Sequence, residues 1–155
     1  MGVRWAAAPL SAPRDEAPTF ADVMSIKELP EVDTPIARIV YTAIDRVEVR
    51  FKPGVRFTPE SMGAMMQARQ ELGTGGKHRV LMLMPEEIDF DPSMVRTDFY
   101  ANHPQPNTEA VAWLTHSEAD ALITRMILKK APPPFPWEVF KEEAAARAWL
   151  ESVVP

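Results

Sequence analysis

Residues 80–84, with the sequence Val-Leu-Met-Leu-Met, decide the fold class. An uninterrupted apolar run of this length is typical of a strand that is buried on both faces of a sheet. A helix signal stands on each side of it, Thr58-Pro59-Glu60 before the run and Asp91-Pro92-Ser93 after it. Each signal combines a capping side chain with a proline at the first helical position. We therefore predict that the run is an inner strand of a sheet that is covered by helices.

The pattern continues on both sides of this strand. Residues 36–44 are rich in β-branched side chains and residues 47–51 alternate apolar with charged, so these two segments predict an antiparallel hairpin. The later segments predict, in order, a strand, a helix, an edge strand and a last helix: 109–114, the helix that opens at Ser117, 135–140 and 142–153. Alternating strands and helices indicate an α/β fold. We expect a five-stranded, mostly parallel sheet with a leading antiparallel hairpin and about four helices.

The first 34 residues have a different character. Five prolines lie within residues 1–35, and neither a strand period nor a helix period is sustained there. We therefore predict a proline-rich N-terminal arm or tail over residues 1–34 and one folded domain over residues 35–155.

Composition excludes several classes of function. The 155 residues include no cysteine, which rules out disulfides, thiolate zinc sites and a cysteine nucleophile. The net charge of −5 argues against a nucleic-acid partner, since such proteins normally carry a basic face. The apolar runs are far shorter than the roughly 20 residues that span a bilayer, so we expect no membrane insertion and a cytoplasmic location.

No catalytic or metal-binding motif is recognisable. The three histidines, His78, His103 and His116, lack the spacing of metal ligands, and no nucleophile-elbow motif is present. The glycine-rich segment 73–77 follows a predicted helix and precedes a strand, which is the reverse of a phosphate-binding loop. We therefore predict a protein that is not an enzyme and has neither a metal nor a cofactor.

An ordered set of local motifs resembles the STAS domains, and more closely the small bacterial SpoIIAA-like (STAS/SEC14-like) proteins. The resemblance extends over about three quarters of the chain, and Ser117 opens one of its helices. The other segments that carry it are Phe51-Lys52-Pro53-Gly54, Thr58-Pro59-Glu60, residues 80–83, 107–112, 133–136, 140–144 and 148–150. It implies a STAS/SpoIIAA-like fold and a regulatory protein–protein interaction module. The implied partner is a protein such as a kinase or an anti-sigma-type regulator.

The same resemblance singles out Ser93. In the anti-sigma antagonist branch, a serine that opens the helix after the third strand is phosphorylated, and Ser93 stands at the matching place in Asp91-Pro92-Ser93-Met94-Val95. Here proline and methionine replace the small residues of that motif. Ser93 is thus a candidate phospho-acceptor, and the alternative is a serine that merely favours a helix start.

Ligands of open α/β sheets gather beyond the carboxyl ends of the strands, which favours the segment after residue 84 as a functional rim. A solvated acidic loop is the alternative interpretation. The candidate interaction rim consists of Glu86, Glu87, Asp89, Asp91 and Met94.

The methionines leave a second function open. The predicted domain contains seven of them, either as gap-filling core residues or as the soft lining of a site for a hydrophobic or lipid-like ligand. If the methionines line such a site, the protein is a carrier or sensor of a hydrophobic or lipid-like ligand. We also expect a homodimer, formed through the arm or through the proline-rich edge strand.

Overall fold

In the computed structural model, which describes residues 29–153, residues 80–83 of the apolar run lie in an inner strand of a six-stranded sheet. The order across this sheet is β1-β2-β3-β5-β7-β8. A separate parallel pair is formed by two short strands, β4 and β6. The strands are β1 (Glu31–Asp33), β2 (Ala37–Ala43), β3 (Arg46–Phe51), β4 (Arg56–Phe57), β5 (His78–Leu83), β6 (Asp89–Phe90), β7 (Thr108–Leu114) and β8 (Trp137–Phe140).

The sheet is mixed. Strands β3, β5, β7 and β8 pair in parallel, whereas β2 pairs antiparallel with β3 on one side and with β1 on the other. The α/β class and the leading hairpin are therefore confirmed.

The predicted number of strands was wrong, because the sheet has six and not five. The additional strand is β1, which lies in the segment predicted as an arm. Its three residues are too few to show a period in the sequence, and its place is set by pairing with the free edge of β2. Two ion pairs hold it there, one between Arg38 and Glu31 and one between Lys52 and Asp33. Most of the predicted arm, residues 1–28, lies outside the described residues.

Four α-helices occur in residues 29–153: α1 (Pro59–Leu72), α2 (Phe99–Asn102), α3 (Glu118–Lys130) and α4 (Glu143–Ser152). Helix α1 begins with a complete capping box, in which Thr58 and Ser61 each accept the other's backbone N–H at 3.0 Å. Ser117 caps α3 by accepting the N–H of Asp120. No helix within residues 29–153 has the length and apolar character needed to cross a membrane.

The helix expected from Asp91 differs from the prediction. It is a five-residue 3₁₀ helix, Pro92–Arg96, followed by the separate short helix α2. Two polar side chains divide it: the Thr97 hydroxyl donates to the carbonyl of Ser93, and Asp98 accepts the N–H of Ala101 as the cap of a new helix. Side chains of this kind compete with helical backbone hydrogen bonds, and this competition stops the first helix.

Helices cover both faces of the sheet, which explains the unbroken apolar run. On one face, Val80 and Met82 of β5 join the main core with α1 and α3. On the other face, Leu81 joins a smaller core with Ala146 and Leu150 of α4. Because side chains of a strand alternate between faces, a strand covered on both faces has no polar side.

Candidate functional site

The carboxyl ends of β5 and β7 meet at one edge of the sheet, which we call the C-terminal edge and define as residues 84–98 and 115–118. The backbone N–H of Met84 donates to the carbonyl of Leu114 at 3.1 Å, and His116 Nε2 lies 3.0 Å from the Met84 carbonyl oxygen. The predicted rim lies at this edge, where ligands of open α/β sheets are commonly bound.

The acidic members of the rim are on the surface. Glu86, Glu87 and Asp89 are exposed and Asp91 is half-buried. Arg56 of β4 joins two of them, with Nη1 at 2.8 Å from Asp89 and Nη2 at 3.3 Å from Asp91. Arg56 and the exposed Arg96 stand against these four carboxylates and the exposed Asp98, which leaves this surface negatively charged.

Ser93 is bound to the carboxylate that precedes it. Asp91 Oδ1 accepts the backbone N–H of Ser93 at 2.9 Å and also accepts its hydroxyl. These two hydrogen bonds, with Arg56 nearby, lower the pKa of Asp91 below its ordinary value. A phosphate on Ser93 would displace the hydroxyl proton from this contact and place two negative groups side by side.

Met94, the remaining member of the predicted rim, lies in the core and not on the surface. Its side chain is 2% exposed. It lines a small apolar cavity of about 40 Å³ between the sheet and the helices, together with three other methionines, Met62, Met66 and Met84. The indole of Trp113 also lines this cavity, and its buried Nε1 has no hydrogen-bond partner.

Helix α3 exposes two large apolar side chains. The sequence places Leu122, Ile123, Met126 and Ile127 on its inner stripe, but Leu122 is 60% exposed and Met126 is 50% exposed. The fully buried positions are Ala121, Thr124 and Leu128. The helix is therefore turned by about one position from the expected orientation, and its outer face carries a leucine and a methionine one turn apart. It packs against the 3₁₀ helix that contains Ser93.

The histidines are not brought together as metal ligands. Within residues 29–153 no group of three or more histidine, aspartate or glutamate side chains is placed to hold a metal ion. His116 lies at the C-terminal edge, whereas His103 packs against Gly63 of α1, where a Cβ atom would come within 2.6 Å of its Nε2. His78 is buried at the opposite edge of the sheet, at the start of β5.

That opposite edge holds a feature absent from the sequence predictions. Arg69 of α1 is 1% exposed, and none of its three guanidinium nitrogens has a hydrogen-bond partner. Burial lowers the pKa of Arg69, while the nearby phenols of Tyr100 and Tyr41 oppose this shift. The sequence does contain a signal, because residue 69 shares the helical stripe of Met62, Met65 and Met66. An arginine in an apolar stripe indicates a buried charge.

Comparisons with known proteins identify a family but not an activity. No curated protein matches the chain, and no solved structure matches it. A family described as "Domain of unknown function (DUF7793)" matches residues 45–154. The match begins at the turn of the β2–β3 hairpin and includes the C-terminal edge, α3 and Arg69. The chain therefore belongs to the DUF7793 family.

Proposed function

We propose that this protein is a non-enzymatic regulatory module of the STAS/SpoIIAA-like type that binds a partner protein in the cytoplasm. The exposed pair Leu122 and Met126 carries this proposal. We define the contact surface as these two side chains of α3 together with Glu86, Glu87, Asp89 and Asp91 of the rim. The main strands and helices from β2 to α4 follow the order predicted from the sequence, with short β4 and β6 in addition and a 3₁₀ helix followed by α2 in place of the second helix. This order supports the STAS-type assignment.

The two kinds of side chain on this surface favour one kind of partner. Removing a leucine or methionine side chain from water is worth about 1.5–3 kcal/mol when burial is complete. The rim adds several carboxylates that Arg56 does not neutralise. A partner with an apolar centre that carries lysine or arginine on the side facing the rim is complementary to both features, and these charges favour rapid association.

Ser93 supplies a route of control over this surface. Its 3₁₀ helix packs against α3, and its hydroxyl and N–H hold the carboxylate of Asp91. Phosphorylation would add nearly two negative charges beside Asp91 and would disturb the cap of the 3₁₀ helix. Because this helix supports α3, the change reaches the contact surface through direct packing.

The test is a quantitative comparison of bound partners in the native host. The wild-type chain, the double variant Leu122→Glu/Met126→Glu and the control variant Ala145→Glu are purified under identical conditions. Ala145 is exposed on α4, so the control adds a charge away from the proposed surface. We expect a partner that is retained by the control and lost by the double variant. A photo-crosslinker at position 122 should then join the purified pair.

Three results would contradict the proposal. Equal recovery of every partner by the double variant would show that Leu122 and Met126 are not part of the contact surface. A crosslink only to a second copy of the chain would show that this surface forms a homodimer and does not bind another protein. Identical partner affinities of Ser93→Asp and Ser93→Ala would remove the switch but leave the surface in place.

The apolar cavity favours a second candidate function, the binding of a small hydrophobic ligand. Its lining is almost entirely apolar, and Trp113 Nε1 is a buried donor without a partner. The volume of about 40 Å³ is well below the roughly 300 Å³ at which ligand pockets begin, so methionine side chains must rotate to admit a ligand. A short ketone such as 2-heptanone is a suitable probe. It should shift the indole N–H signal of Trp113, and an unchanged spectrum would exclude this function.

A further inference from the structure

Arg69 is the strongest unexplained feature of the molecule. Its guanidinium carries five N–H donors, and every one of them lacks a partner among residues 29–153. A buried charge without a partner costs more free energy than an apolar side chain of the same size. A methionine at this position would simply extend the stripe of Met62, Met65 and Met66. The presence of an arginine at this buried position therefore indicates that something neutralises its charge.

Other polar atoms near Arg69 are also unpaired. His78 Nε2 and Thr108 Oγ1 are buried without a hydrogen-bond partner. Buried polar groups are nearly always satisfied in proteins, so this local concentration is unusual. The unpaired atoms of Arg69, His78 and Thr108 come from α1, β5 and β7.

A cavity of about 240 Å³ lies beside this cluster. It is formed at the amino ends of β5 and β7, on the side of the sheet away from the C-terminal edge. Its walls include Arg69, Gly73, Gly75, His78, Gln105 and Thr108. The volume is sufficient for a small metabolite, and it is separate from the apolar methionine-lined cavity.

We propose that this cavity, which we call the Arg69 site, binds a small organic anion whose carboxylate or phosphate group pairs with the guanidinium of Arg69. The planar fork of an arginine donates two parallel hydrogen bonds to either group. The Thr108 hydroxyl provides a further donor. This proposal is independent of the contact surface at the other edge of the sheet.

The histidine refines the chemistry of the ligand. His78 Nδ1 lies 3.3 Å from the carbonyl oxygen of Gly76, which only accepts, so Nδ1 carries the proton of the neutral ring. Nε2 is then an acceptor. A ligand that satisfies both Arg69 and His78 bears a hydroxyl or amine donor in addition to its anionic group, as a hydroxycarboxylate or a phosphate monoester of a polyol does.

The glycine-rich turn provides the way in. The guanidinium nitrogens are buried beneath the surface that lines the cavity. A ligand in the cavity therefore reaches them only after the residues of the cavity wall move. Gly73 and Gly75 of the turn form part of that wall, and Gly75 has a φ of +89°, a conformation that glycine adopts without strain. We assign the opening movement to this turn.

The experiment measures thermal unfolding of the full-length protein in a chloride buffer of constant ionic strength. Inorganic phosphate, glycerol 3-phosphate and malate are titrated separately, so that the arms distinguish phosphate from carboxylate ligands. We expect a saturable rise in Tm with at least one of the three, as for any ligand that binds only the folded state. The same anion should shift the Nε–H signal of Arg69 in a ¹H–¹⁵N spectrum.

Variants separate the Arg69 site from a general salt effect. Arg69→Met should fold with an equal or higher Tm and lose the response, whereas Arg38→Met, which removes an exposed arginine, should keep it. Thr108→Val should raise the Kd of the anion, obtained from the titration of Tm, by about tenfold, because it removes one hydrogen bond to the ligand. An unresponsive wild type, or an equal response of wild type and Arg69→Met, would overturn the proposal.

Discussion

Asp91 Oδ1 accepts two hydrogen bonds from Ser93, one from its backbone N–H at 2.9 Å and one from its hydroxyl. The candidate phospho-acceptor is therefore already engaged in local structure. This contact fixes the start of the 3₁₀ helix, while Arg56 holds the other carboxylate oxygen of Asp91 at 3.3 Å. Any modification of Ser93 acts first on this carboxylate.

The contact predicts a pH dependence for Asp91. Its pKa lies below the ordinary value of 3.8, chiefly because of the Ser93 hydroxyl and N–H. A depressed folded-state pKa stabilises the protein above the unfolded value, and this stabilisation is lost as the pH falls through the folded value. The difference in free energy of unfolding between wild type and Asp91→Asn should thus be constant above about pH 5 and shrink below it. Urea unfolding at several pH values measures it, and a difference independent of pH would contradict the prediction.

The burial of Met94 predicts a contrast with the exposed side chains of α3. Met94→Ala should lower the free energy of unfolding by about 2–5 kcal/mol, because it leaves a cavity in the core. Leu122→Ala and Met126→Ala should each change it by less than about 0.5 kcal/mol, because those side chains are largely in water. Guanidinium unfolding of the three variants provides the measurement. An unchanged free energy of unfolding in Met94→Ala would indicate that Met94 lies on the surface as part of the rim, as the sequence predicted.

Much of the fold was predictable because its signals are local. Apolar runs, the Thr58 and Ser117 caps and the hairpin of β2 and β3 follow from short-range chemistry. Strand β1 was not predictable, since three residues show no period and their strand conformation depends on pairing with the free edge of β2. The rotation of α3 was missed for a similar reason, because Thr124 is buried through packing that a hydropathy stripe does not record.

The candidate sites were less predictable than the fold. Sequence position placed the acidic rim at the carboxyl ends of the strands, but it could not show that Met94 points into the core. The Arg69 site gathers polar atoms from residues 69, 78 and 108, which lie on three separate elements of the fold. In the sequence, this site is indicated only by the charged Arg69 within the methionine stripe of α1.

A further prediction concerns Glu48 of β3, whose side chain is 9% exposed. It forms salt bridges with Arg50 at 2.9 Å and with Arg147 of α4 at 3.0 Å. Glu48→Ala should lower the free energy of unfolding by about 1–2 kcal/mol, because it removes the charge-assisted hydrogen bonds to both arginines, each of which is about half exposed. Arg147→Ala should cost less than about 1 kcal/mol, since Arg147 is half exposed and Glu48 keeps Arg50. Equal costs of the two variants in urea unfolding would show that α4, and not Arg50, holds this carboxylate.

The last prediction concerns His78, which lies beside Arg69. Burial, and then the positive charge of Arg69, lower the pKa of His78 below its ordinary value of 6.5. The unfolded chain therefore binds a proton at a higher pH than the folded chain does. The free energy of unfolding should be constant above about pH 7 and fall as the pH drops toward the folded-state pKa. In His78→Phe, which keeps a ring against Tyr41, this slope should disappear.

The pH dependence of the free energy of unfolding that His78 causes also tests the Arg69 site. An anion paired with Arg69 cancels the charge that opposes protonation of His78, so the pKa of His78 should rise when the anion binds. Urea unfolding between about pH 7 and pH 5 should then show a smaller loss of stability in saturating anion than in chloride when the wild type is compared with His78→Phe, which cancels the protonation of the anion itself. If the slope is the same in both buffers while the anion raises Tm, the anion binds elsewhere and Arg69 and His78 do not share a ligand.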